Sequence, residues 1–264
     1  MRSESRVSTL ALQIALVVLL QFFTLDPSVA DTRLLYERAK ERTEVGGEKA
    51  EVEKSEREVW LGEKGVLISE SEGESRLLVE GSDHLVLLRH GDRTFEELPL
   101  GSTIKDVIPE AFHPHLEKAM RGLGFEVTIE PTETKKAIGD WQCRRHSLAV
   151  EARGQTDDGE VWTTDTVEID DALYRQMERA WAAVDPSKAL AMALAEMEDL
   201  RVETRLSAER RQGGPVVSTV VSLERLVAIE EHPDDPSRFE IPEGYRQIPL
   251  DTTRWMKMAR PGGS

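Results

Sequence analysis

The side chains able to do chemistry in this chain are few and scattered. Six histidines occur, and only His113 and His115 lie close together in sequence. Pro114 between them forbids the helical i,i+4 spacing with which two imidazoles share a metal ion. The pair reads as a loop between two helical pieces, and no metal site is assigned. The one cysteine, Cys143, follows Trp141 and precedes Arg144 and Arg145. A neighbouring guanidinium can lower a thiol pKa, but alternation along a strand sends Cys143 and Trp141 to one face and Arg144 to the other. Cys143 is therefore expected to be a buried structural thiol, and a lone cysteine forms no disulfide within the chain.

Three acidic pairs, Asp157-Asp158, Asp170-Asp171 and Asp234-Asp235, offer carboxylates for acid–base work or calcium. Each falls at an expected turn or helix start, where aspartate caps backbone N–H groups. No nucleophile elbow, phosphate-binding glycine loop or zinc-protease helix occurs. No catalytic residue and no cofactor are assigned, and the chain is read as non-enzymatic. The most suggestive set is Phe112, Met120, Met177, Trp181, Met192 and Met197, all on expected helices. Thioether and aromatic side chains adapt to variable apolar ligands. Ordinary packing of helices on a sheet needs the same residues, so core and ligand lining both stand as readings.

The elements that must position these residues follow from periodicity. From Asp31 to Trp60 the chain is densely charged and is read as two strands of an edge hairpin split at Gly46-Gly47. Gly65 to Ser69, Arg76 to Glu80 and His84 to His90 are apolar runs separated by turn residues, which predicts a meander continued by Thr94 to Leu98. Between Thr103 and Leu123 apolar residues recur every three or four positions, the mark of an amphipathic helix that Pro109 and Pro114 must kink or split. Strands are expected at Phe125 to Glu130, Trp141 to Glu151 and Glu160 to Ile169, with Asp157-Asp158-Gly159 as the turn joining the last two.

Leu173, Met177, Ala180, Trp181 and Val184 then mark one helix. After Asp185-Pro186 a second carries Leu190, Ala193, Leu194, Met197 and Leu200. Val202 to Arg211 and Val216 to Glu230 form a closing hairpin around Gln212-Gly213-Gly214. The order favours an α+β fold, an antiparallel sheet with helices laid on one face.

The formal charge of −16 disfavours nucleic acid and anionic lipid surfaces as electrostatic partners. The N-terminus has the tripartite form of an export signal: Arg2 and Arg6, an apolar run from Leu10 to Phe23, then Pro27 and Ser28-Val29-Ala30. Cleavage is expected between Ala30 and Asp31. The apolar run also approaches the roughly 18–20 residues of a membrane span, so a retained anchor is the competing reading. With cleavage, the product is periplasmic or secreted and not an integral membrane protein.

Four passages occur in order along the mature chain. They are Leu77 to Leu98 ahead of Pro99, Glu133 to Gly139 with Trp141 and Cys143, Glu160 to Asp165, and Ser237 to Pro242 with Gly244 and Tyr245. Through them residues 60–250 resemble an uncharacterised family of bacterial exported proteins related to the LolA/LolB/LppX lipoprotein-carrier superfamily. The resemblance implies a curved antiparallel half-barrel whose concave face is covered by helices and shelters acyl chains or another apolar ligand. With the export signal read at 1–30 and a loose tail at 251–264, it implies a single LolA-like half-barrel domain at 31–250. The function so implied is binding of a hydrophobic, lipid-like ligand in the cell envelope. The alternative is an envelope interaction or structural module with a fully packed interior, meeting another protein. The chain lacks the lipidated cysteine of LolB and carries long segments that LolA does not.

Overall fold

The computed structural model describes residues 30–46, 51–70, 73–114, 116–117, 126–152, 155–184, 189–211 and 215–252. The expected signal up to Val29, Met120 and the tail from residue 253 lie outside them. Twelve strands run β1 (Asp31–Glu44), β2 (Glu51–Gly62), β3 (Gly65–Glu70), β4 (Glu74–Val79), β5 (His84–Arg89), β6 (Thr94–Pro99), β7 (Glu126–Ile138), β8 (Trp141–Ala152), β9 (Gln155–Thr164), β10 (Leu200–Arg211), β11 (Val216–His232) and β12 (Arg246–Gln247). Among the described residues three α-helices accompany them: α1 (Ile104–Val107), α2 (Ala172–Ala183) and α3 (Ala189–Ala195).

All strands form one sheet in the order β12-β6-β5-β4-β3-β2-β1-β11-β10-β9-β8-β7. Every pairing is antiparallel except the two-residue β12–β6 contact. Among the described residues the two ends of the order, β12 and β7, do not pair with each other, so the curved sheet is open, as a half-barrel is.

The first hairpin is a correction to the sequence reading. β1 and β2 pair as expected, but they lie in the middle of the sheet, β1 between β2 and β11. Charged strands are stable there because opposite charges meet across the ladder. Arg33 faces Glu230, Glu37 faces Arg225 and Arg38 faces Glu224, while Arg57 faces Glu70. Partners up to 197 positions apart in sequence supply these charges, which no local window reveals.

The meander β3–β6 is apolar because both its faces are covered. On one face Val66, Ile68, Leu78, Leu85, Leu87 and Leu98 join Leu34, Tyr36, Val59 and Leu61 in the main core, together with Met177 and Trp181 of α2. On the other face Leu77, Val86 and Leu88 pack against Phe239, with Ile241 and Tyr245 of the C-terminal segment beside it. That segment turns at the 3-10 helix Pro236–Phe239 and returns to β6 through β12. Gly62 makes room for it: a β-carbon there would lie 2.5 Å from the Phe239 ring.

Two further expectations change. Asp157-Asp158-Gly159 is not a turn but part of β9, which begins at Gln155. Glycine stands there for close approach, since a β-carbon at Gly159 would come within 2.3 Å of the Arg205 carbonyl oxygen on β10. Leu200 opens β10 rather than closing a helix, and α3 ends at Ala195. The split of the first helical zone at Pro109 is observed, with α1 before it and the 3-10 turn Glu110–Phe112 after it.

Candidate functional site

The helix α2 starts where Asp170 accepts a hydrogen bond from the Ala172 amide at 3.2 Å, and Arg175 pairs with Asp171 one turn back at 2.8 Å. Its buried stripe is Tyr174, Met177, Glu178, Trp181 and Ala182. The spacing is that of one helix face, but one member is a carboxylate. Glu178 is 8% exposed and meets two guanidiniums from the sheet. Arg57 of β2 donates to its Oε1 at 2.8 Å, and Arg76 of β4 donates to the same oxygen at 3.1 Å.

The network continues across the sheet. Arg57 also reaches Glu224 of β11 at 3.5 Å, and Arg38 of β1 holds Glu224 at 2.6 Å and Glu70 of β3 at 3.4 Å. Arg76 closes the chain of contacts on Glu70 at 2.9 Å. Two rings of α2 lie over the same cations: Tyr174 is 5.7 Å from Arg57, and Trp181 is 5.1 Å from Arg76. Arg201 of β10 donates to the Tyr174 hydroxyl at 3.2 Å.

The titration of these groups follows from burial opposed by charge. Burial by itself would raise Glu224, but Arg57, Arg38 and Arg201 outweigh it and bring the carboxyl down to about 2. Burial likewise works against Glu178, and Arg57 and Arg76 hold it below the ordinary glutamate range. Glu70 goes the same way through Arg76 and Arg38. Burial disfavours charged Arg57, yet the phenol of Tyr174 and the carboxylates of Glu178 and Glu224 keep it well above its usual value. Burial pushes the Tyr36 and Tyr174 hydroxyls up, so both stay protonated. All the carboxylates are ionised at neutral pH, and none is poised to take or give a proton there. The arrangement can fix a helix on a sheet and recognise charge.

The residues singled out from the sequence fall in several places. Met177 and Trp181 come together in the main core under α2. Met197 packs against a second cluster of Leu148, Val150, Val161 and Leu194, and Met192 is half-buried on α3. Phe112 is exposed on its 3-10 turn, and Met120 lies outside the described residues. Cys143 is buried, with its thiol 3.5 Å from the Trp141 carbonyl, and burial raises its pKa. The His113 ring is engaged with the carbonyls of Lys105 and Ile108 at 2.9 and 3.2 Å. Asp235 caps the 3-10 helix by accepting from the Ser237 amide.

Sequence reasoning missed Arg57, Arg76, Glu178, Glu224 and Arg201. One signal for Glu178 was present. It sits one turn after Tyr174 and three residues before Trp181, inside an apolar stripe where a solvated carboxylate has no place.

No family model matches the chain, and no curated protein matches it. Solved structures similar to it at low identity include the following two. A DUF1329 family protein from Desulfovibrio piger is 8% identical, with 86% of this chain and 96% of that one covered, at a TM-score of 0.27. A domain described as outer membrane lipoprotein-sorting, from Vibrio parahaemolyticus, is 10% identical, with 94% and 98% covered, at a TM-score of 0.26.

Proposed function

We propose that residues 31–250 form a single exported, non-catalytic domain that binds a hydrophobic, lipid-like ligand in the cell envelope, between the curved sheet and helices α2 and α3 seated on its concave face. The observation that carries this reading is the way α2 is attached. Its inner stripe combines Met177 and Trp181 with Glu178, which is held by Arg57 and Arg76. Burying an ion pair costs several kcal/mol per ion before attraction returns it, and a well-packed apolar contact is as stable or more so. What ion pairs add is a directional seat whose charges regain water when the helix lifts. The apolar side chains beneath it are then free to meet a guest.

Met177, Trp181, Met192 and Met197, with Phe112 and Met120, are the lining we assign to that guest. Cleavage after Ala30 would release the domain to the periplasm or the medium. Among the described residues no helix is long and apolar enough to cross a membrane. The test is native mass spectrometry with lipid extraction on protein purified from the periplasm, together with uptake of a fluorescent fatty acid. Co-purified lipid or saturable uptake is expected; absence of both would end the proposal.

A second reading is favoured by the filling of the interior, where Met177 is 0% exposed. In it the chain is an envelope interaction module whose acidic surface meets a basic protein. Crosslinking in intact cells separates the two, because this reading requires a reproducible protein partner and no lipid.

A further inference from the structure

The C-terminal segment that covers the second face of the meander is tied to the first residue of β1. Asp31 is 0% exposed and stands opposite His232 in the β1–β11 ladder. Its Oδ2 accepts from the Asp235 amide at 3.1 Å and from Arg238. Arg238 also reaches the Asp235 carboxylate at 3.7 Å and lies 3.8 Å from the centre of the Trp60 ring, so one guanidinium serves two carboxylates. The other oxygen, Asp31 Oδ1, is buried with no hydrogen-bond partner, shut in where a β-carbon on Gly62 would collide with it. A buried acceptor left without a donor costs stability. Burial holds the Asp31 carboxyl above its ordinary value against the Asp235 amide and Arg238, and the charges of Asp234 and Asp235 act in the same direction as burial. The spot has room in its charge balance for one more cationic donor.

Cleavage between Ala30 and Asp31 makes such a donor. Ala30 is exposed, and Asp31 is not. Hydrolysis of that amide by an envelope signal peptidase adds one water: its oxygen joins the Ala30 carboxylate, and its two protons end on the Asp31 nitrogen. That nitrogen, until then an uncharged amide with one N–H, becomes an ammonium with three donors at neutral pH. Four bonds separate it from either oxygen of its own side chain, so the two are never more than about 5 Å apart. The new charge therefore arises beside the oxygen that lacks a donor, and two cations then face the carboxylates of Asp31 and Asp235.

We propose that the α-ammonium of Asp31 is a built-in ligand of the processed domain, pairing with the buried Asp31 carboxylate and so firming the hold of β1 on Arg238 and the C-terminal segment. The inference rests on the cleavage after Ala30 proposed above and is independent of what the domain binds. A chain that keeps Ala30 has an amide at this place and carries its positive terminus at least one residue further out, where water and salt screen it. Removal of the leader thus does more than release the domain: it completes the fastening of Phe239, Ile241 and Tyr245 over the meander.

The experiment compares the full chain after processing in the periplasm with residues 30–264 released from a ubiquitin fusion by a ubiquitin hydrolase. The two products have the same net charge and differ by Ala30 alone. Intact mass first reads the N-terminus of the periplasmic protein; a first residue other than Asp31 ends the cleavage reading and this inference with it. With Asp31 first, the processed protein should melt about 2–4 °C or more above the longer one. Its α-amine should be carbamoylated by cyanate about tenfold more slowly at pH 7 than that of Ala30, the change that one pKa step gives. Asp31→Asn in both chains should bring the two melting temperatures together; if these variants fail to fold, the carbamoylation rates of the wild-type pair take their place. Equal melting temperatures for the wild-type pair, a gap that survives Asp31→Asn, or equal carbamoylation rates overturns the inference while cleavage after Ala30 stands.

Discussion

Replacing Glu178 by alanine removes the acceptor that Arg57 and Arg76 share. Both donate to the same oxygen, at 2.8 and 3.1 Å, and the Arg57 side chain is only 4% exposed. Water cannot take the carboxylate's place without opening the contact between α2 and the sheet. Breaking a buried ion pair from one side costs about 3–5 kcal/mol, because a charge is left behind without compensation. For a domain of this size each kcal/mol corresponds to about 2–4 °C in melting temperature, so Glu178→Ala should melt roughly 6–20 °C below the wild type.

The companion variant is Arg76→Met with Glu178→Met. It removes one charge of each sign, while Arg57 keeps Glu224 at 3.5 Å and Arg38 keeps both Glu224 and Glu70. Apolar replacement of a buried pair is commonly neutral or better, so the double variant should recover to within about 1 kcal/mol of the wild type. Thermal and urea unfolding followed by far-ultraviolet circular dichroism measure both. A loss under roughly 2 °C for Glu178→Ala would refute the claim that this pair fastens the helix. A double variant as unstable as the single would refute the claim that uncompensated charge is the cause.

Three more outcomes follow from the same geometry. Glu224 has a folded pKa of about 2, below its ordinary value of 4.5, so the folded state binds fewer protons than the unfolded one between those limits. Its contribution, about 3 kcal/mol, is complete above the ordinary value and is lost as the pH falls toward 2. Glu178 and Glu70 act in the same direction, so urea midpoints should drop steeply with acid and less steeply in Glu224→Gln; equal slopes would count against this. Gly159→Val places a side chain against the Arg205 carbonyl and should cost about 1–3 kcal/mol, read as a lower urea midpoint; no change would mean that the strands can part without penalty. Cys143 is 2% exposed with its pKa raised by burial, so an aromatic disulfide reagent should label it slowly in the native protein and at once in denaturant; fast native labelling would contradict the burial.

Much of the framework was legible because it is local. The runs Val66 to Ile68, Leu77 to Val79 and Leu85 to Leu88 announce buried strands by composition, and Pro109 announces a break by its missing N–H. Tyr174 and Glu178 were not read as inward-facing, because the periodicity of α2 was taken from Leu173 and Ala180 and the true stripe is rotated toward the carboxylate. The turn at Asp157-Asp158-Gly159 was misplaced because glycine serves two needs, a bend and a close approach, and only the neighbouring β10 distinguishes them.

The sequence by itself determined an acidic chain, a strand-rich order, the meander and the two helices after it, since charge, apolar runs and proline act on their near neighbours. Tertiary structure alone decided that the most charged strands stand at the middle of the sheet and that Arg57, Arg76, Glu178 and Glu224 meet beneath α2. Those partners come from β2, β4, α2 and β11, and Coulomb attraction between them depends on distance in space, which the order of residues does not encode.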